Sequence, residues 1–84
     1  MNSDSRQVLK FSERESYYYA VLKKLFVLKK QGRMSFSAKE VQESISYFKI
    51  PIGLVEEFLE EFYNHSIVGR WEFPTGEIKY ELSL

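Results

Sequence analysis

The sequence predicts an α+β domain in which three helices precede a C-terminal β-hairpin. Three observations predict it. Two segments, residues 12–15 and 37–40, read Ser-x-x-Glu, the capping box that opens a helix. Residues 52–65 carry apolar side chains at helical spacing. Residues 67–82 alternate in twos around Pro74-Thr75-Gly76, as two strands and a turn do.

The first helix is expected over residues 13–31. Ser12 can accept from the Glu15 amide while the Glu15 side chain reaches back. An earlier start, near Ser5 and running through Phe11, is the alternative. Gly32 is the expected stop, because glycine takes the left-handed conformation after a last turn. Lys29 and Lys30 suit the negative end of the helix dipole. Tyr18, Val21, Leu22, Leu25 and Leu28 form the expected core face. Met34-Ser35-Phe36 reads as a strand stub. The second helix opens at Ser37 and places Val41, Ile45 and Phe48 on one face. It ends before Pro51, since the residue preceding a proline avoids the helical region. Residues 49–53 then read as a tight turn. In the third helix Val55, Phe58, Leu59 and Phe62 form the buried stripe. Glu56, Glu57, Glu60, Glu61 and Asn64 fall on the opposite half. The hairpin arms are residues 67–73 and 77–82, with Trp71 expected in the hairpin core or as a cross-strand partner.

Size and composition bound the rest. Eighty-four residues make one small domain. Hydrophobic residues are 44% and aromatics 17%, too apolar for a disordered chain. There is no cysteine, which excludes disulfides, zinc fingers and thiol chemistry. One histidine, His65, builds no metal site; it is expected exposed at the end of the third helix. No apolar run spans a bilayer, and the polar N-terminus lacks a signal-peptide core. The expected compartment is the cytoplasm. Twelve basic and twelve acidic residues cancel. The cancellation is regional: residues 1–33 hold eight basic and three acidic residues, net +5, and residues 34–84 hold four basic and nine acidic, net −5.

The order helix, strand stub, helix, turn, helix, hairpin resembles that of winged-helix domains. The features carrying the resemblance are the two capping boxes, residues 49–53 and the Ser66-Ile67-Val68-Gly69-Arg70 entry to the hairpin. The likeness covers residues 12–82. It implies a single winged-helix domain over residues 12–84, after a flexible or loosely packed segment 1–11. It also implies duplex DNA as ligand and a role in transcription regulation. The third helix would enter the major groove and the hairpin wing would touch the backbone. The residues at those positions depart from that pattern. Glu56, Glu57 and Glu60 would face phosphates, which supply most nonspecific affinity through cations.

Two functional readings follow. In the first, DNA is held by a basic rim of Lys39, Lys49, Arg70 and Lys79, or by Lys23 and Lys30 on the first helix. In the second, the domain is a protein-interaction adaptor whose acidic face, Glu56, Glu57, Glu60 and Glu61, receives a basic segment. Tyr19, Phe26 and Val27 extend apolar character around the first helix. A helix apolar on most sides is buried on most sides, so they are candidates for a homodimer interface. The alternative cover is residues 8–11 of the same chain. No catalytic set is visible, so the chain is expected to be non-enzymatic, with no cofactor and no metal.

Overall fold

The computed structural model describes residues 2–47 and 49–83, with side chains from residue 13 onward. Three helices, α1 (Asn2–Lys30), α2 (Ala38–Ser44) and α3 (Ile52–Asn64), precede strands β1 (Val68–Glu72) and β2 (Ile78–Leu82). This is the expected α+β class and element order, with a C-terminal hairpin wing.

Helix α1 begins at Asn2, eleven residues before the first expected start at Glu13 and close to the alternative start near Ser5 that runs through Phe11. Ser12 therefore lies inside the helix and is not its cap. The physical reason is that residues 2–12 contain neither glycine nor proline, so nothing interrupts propagation once the helix has nucleated. The segment 1–11, expected as a separate loosely packed piece, continues the α1 backbone from Asn2 onward. The stop is where the sequence puts it. Gly32 sits at φ +92°, the Gly32 amide donates to Lys29 O, and the Arg33 amide donates to Leu28 O at 2.9 Å. That pair of bonds satisfies the last carbonyls of the helix.

Helix α2 opens on the predicted box. The Glu40 amide donates to Ser37 Oγ, and the Ser37 amide donates to Glu40 Oε1 at 2.8 Å. Its end differs from expectation: α2 stops at Ser44, and Ile45 is already extended. Ser44 Oγ donates back to Val41 O at 2.8 Å, a side-chain bond that competes with the next helical turn. Gln42 Nε2 donates to Ile50 O at 2.8 Å and so ties down the connection that follows. Residues 45–47 and 49–51 belong to that connection, in place of a tight turn over residues 49–53. It is anchored by burial of Ile45 and Ile50. The expected place of Phe48 on the α2 face lies outside the described residues.

Helix α3 buries Val55, Phe58, Leu59 and Phe62, the whole predicted stripe. Burying four large apolar side chains contributes about 1.5–3 kcal/mol each, and this stripe meets Val21 and Leu25 of α1 and Val41 of α2 in one core. The helix ends on a Schellman motif without glycine. The Ile67 amide donates to Phe62 O and the Ser66 amide to Tyr63 O, with Ser66 at φ +61°.

The strands pair antiparallel with Val68 opposite Leu82, Arg70 opposite Tyr80 and Glu72 opposite Ile78. Phe36 joins β2 on its other side through two 2.9 Å bonds with Tyr80, so the predicted stub is a single buried bridge. The turn is closed by the Gly76 amide donating to Phe73 O and the Phe73 amide donating to Glu77 O, with Gly76 at φ +89°. Such three-residue loops place glycine at the left-handed position. Trp71 takes the second of its two expected places, as a cross-strand partner, and is not in the core. Register puts it on the outer face opposite Lys79, 48% exposed. Its indole carbons lie 3.2–3.3 Å from where a Cβ on Gly69 would stand, so glycine is what lets the ring fold down across the strand.

Candidate functional site

The acidic half of α3 is not one uniform face. Glu60 looks toward the hairpin, where its Oε2 accepts from Arg70 Nε at 2.8 Å and from the Tyr80 hydroxyl at 2.5 Å. The Tyr80 hydrogen bond, ahead of the Arg70 guanidinium, holds the Glu60 carboxyl below the usual carboxylate range. Burial and the Glu60 bond push Tyr80 up to about 12. Arg70 also lies over the Tyr63 ring. These contacts fix the hairpin to α3, so Glu60 is a structural link and not a free docking group.

Glu57 and Glu61 lie along the opposite edge, beside α1. Arg14 reaches Glu57 at 3.4 Å and stacks 5.0 Å from the Phe58 ring centroid. The Tyr18 ring meets Phe58 and Phe62 edge-on. Burial, and then the nearby Glu61 carboxylate, raise the Tyr18 hydroxyl above the usual phenol range. Arg14 was not among the sequence candidates. Nothing local marks it, because its partners lie more than forty positions away on another helix.

Glu56 lies on the hairpin side of α3, beyond Glu60 as seen from Glu57; it is exposed and, among the described residues, pairs with no cation. It borders a groove of about 250 Å³ between the start of α2, the start of α3 and the hairpin tip. Lys39, Ile52, Glu56, Glu77 and Ile78 line it. Ile52 is 40% exposed there. Its position at the helix start does not mark it as a groove residue in the sequence, because the groove forms only where α2 and the hairpin tip meet α3.

The basic rim is divided as well. Arg70 is held by Glu60, with Glu72 at 3.9 Å. Lys79 lies 3.7 Å from Glu40. Glu40 is a hub: it caps α2, and its Oε2 accepts from Arg33 at 2.6 Å. The Ser37 backbone amide is the main reason its carboxyl sits below the usual range. Lys39 and Lys49 are exposed and, among the described residues, pair with no carboxylate. They do not share a site: Lys39 lines the α3–hairpin groove, whereas Lys49 borders a separate hollow at the α2–α3 connection. Lys23 and Lys30 are exposed on α1.

On α1, Tyr19 and Phe26 are exposed, at 62% and 44%, and seven residues apart they share a face. Val27 is half-buried and turns about 100° away from Phe26. Among the described residues no helix is long and apolar enough to cross a membrane. No protein-family model, no curated protein and no solved structure matches the chain.

Proposed function

We propose that the chain is a non-enzymatic adaptor of winged-helix type, acting in the cytoplasm, whose α3 face docks a basic amphipathic segment of another protein. The observation that carries this is the disposition of charge around α3. Arg70 and Lys79, two of the four cations a duplex would need on the rim, are engaged by Glu60 and Glu40 of the same chain. Glu56 and Glu77 instead stand exposed beside an apolar-floored groove. Carboxylates flanking exposed Ile52 suit a segment with lysines on one side and aliphatic residues on the other. Tight fixation of the hairpin by Glu60 keeps the groove open without a partner, which lowers the ordering cost of binding.

A synthetic helical peptide of leucine and lysine faces is the probe. Binding is expected for the wild-type chain, and the double reversal Glu56→Lys/Glu77→Lys is expected to weaken it at least tenfold, about 1.4 kcal/mol. Glu60 is left intact in that variant, since its loss would also release the hairpin. Unchanged peptide affinity in the double variant would overturn the reading.

A second reading, a transcription regulator that binds duplex DNA, draws on exposed Lys39 and Lys49 with Lys23 and Lys30. It has to overcome the carboxylates of α3, which would lie against phosphates in the usual docking mode.

A further inference from the structure

The outward face of α1 carries a pattern that the docking of α3 does not use. Glu15, Tyr19, Phe26 and Lys30 are all exposed. At 100° per residue they fall within about 60° of one another, so they form one stripe along the helix. The stripe is acidic at its N-terminal end, aromatic in its middle and basic at its C-terminal end. Such an arrangement is self-complementary when a second copy runs antiparallel. A twofold axis passing between Leu22 and Lys23 sets residue 19 opposite 26 and residue 15 opposite 30, because each pair is equally far from the axis.

We propose that the occupant of this face is a second copy of the chain, in an isologous dimer of antiparallel α1 helices. In it, Tyr19 of each copy packs on Phe26 of the other, and Glu15 of each pairs with Lys30 of the other. A twofold interface requires that every contact occur twice, and this register meets that requirement with no like charges opposed at either end. A concavity of about 210 Å³ lined by Arg14, Glu15, Tyr18 and Tyr19 lies where the Phe26 ring of the second copy arrives. Tyr18 and Tyr19 already meet edge-on at 5.6 Å and form its aromatic wall. Lys23 sits beside the axis, where its methylene stem covers Leu22 of the second copy and its ammonium stays in water. Val27, on another flank of the helix, is not part of the contact.

The dimer stands apart from the proposed α3 function, since none of its residues belongs to that face. Binding of the leucine–lysine peptide is therefore expected to persist in monomeric variants, which separates failure of one proposal from failure of the other. The interface is a single helix pair, so association depends on concentration and on salt.

The test is sedimentation velocity of the full chain across the micromolar range. The wild type is expected to dimerise as concentration rises. Glu15→Lys and Lys30→Glu, each alone, place like charges opposite one another twice and are expected to weaken dimerisation on the order of tenfold. Mixing the two variants re-forms both opposite-charge pairs, so the mixture is expected to regain wild-type association. Both substitutions exchange exposed helix-forming residues, and far-UV circular dichroism checks that the fold is kept. The proposal is overturned by a monomeric wild type throughout, by single reversals that dimerise as the wild type does, or by a mixture that gains nothing.

Discussion

Ser66 is the residue at which local conformation and sequence disagree. It occupies the position after α3 that glycine fills after α1, yet it carries a side chain at φ +61°. The left-handed region costs a non-glycine residue roughly 1–2 kcal/mol. Ser66→Gly is therefore expected to stabilise the domain by about 1 kcal/mol, partly offset by the greater freedom glycine has when unfolded. In a domain of this size that corresponds to a rise of about 4–8 °C in Tm by calorimetry. A lower Tm would mean that the serine hydroxyl makes a contact outweighing the strain. The contrast with Gly32 shows what was legible: Gly32 announces a helix end from sequence alone, whereas Ser66 does so only through the bonds that it and Ile67 make to α3.

At the scale of elements, the junction of α3 with the hairpin turns on Glu60, Arg70 and Tyr80. The signs of its pH dependence follow from the two shifted groups. Glu60 is held below its usual range. Its contribution is present above the ordinary glutamate value of about 4.3 and is lost as pH falls through the depressed folded value. Tyr80 is shifted the other way, from 10.0 to about 12. Its contribution is full below pH 10 and is lost as pH rises through about 12. Glu60→Gln is expected to flatten the acid limb of stability against pH, and Tyr80→Phe the alkaline limb, in urea unfolding series. Variant curves running parallel to the wild type at both ends would show that this junction does not couple to pH. The helical stripes and the Ser37 box were readable because they depend on spacing within one element. The Glu60 junction was not, because azimuth separates inside from outside without saying which neighbour stands at the edge. The early end of α2 was hidden for a related reason. Ser44 and Gln42 bond to backbone carbonyls, and the gain from burying Ile45 and Ile50 outweighs helix continuation.

For the whole molecule, the division into a +5 half and a −5 half was visible in the sequence. Which of those charges remain available was not. Folding joins Arg14 to Glu57, Arg33 and Lys79 to Glu40, and Arg70 to Glu60. Surface pairs of this kind add little stability, but they remove cations from the rim and leave α3 presenting Glu56 beside an apolar groove. The role proposed for this face is to receive a basic protein segment and not a nucleic acid. The most direct measurement is a titration of the wild-type chain with duplex DNA at low and at moderate ionic strength. The Trp71 emission and a labelled duplex serve as independent readouts. No binding is expected at either ionic strength. Duplex binding at low salt that falls steeply as salt rises, and that is lost in a Lys39→Glu/Lys49→Glu variant, would contradict the proposed role.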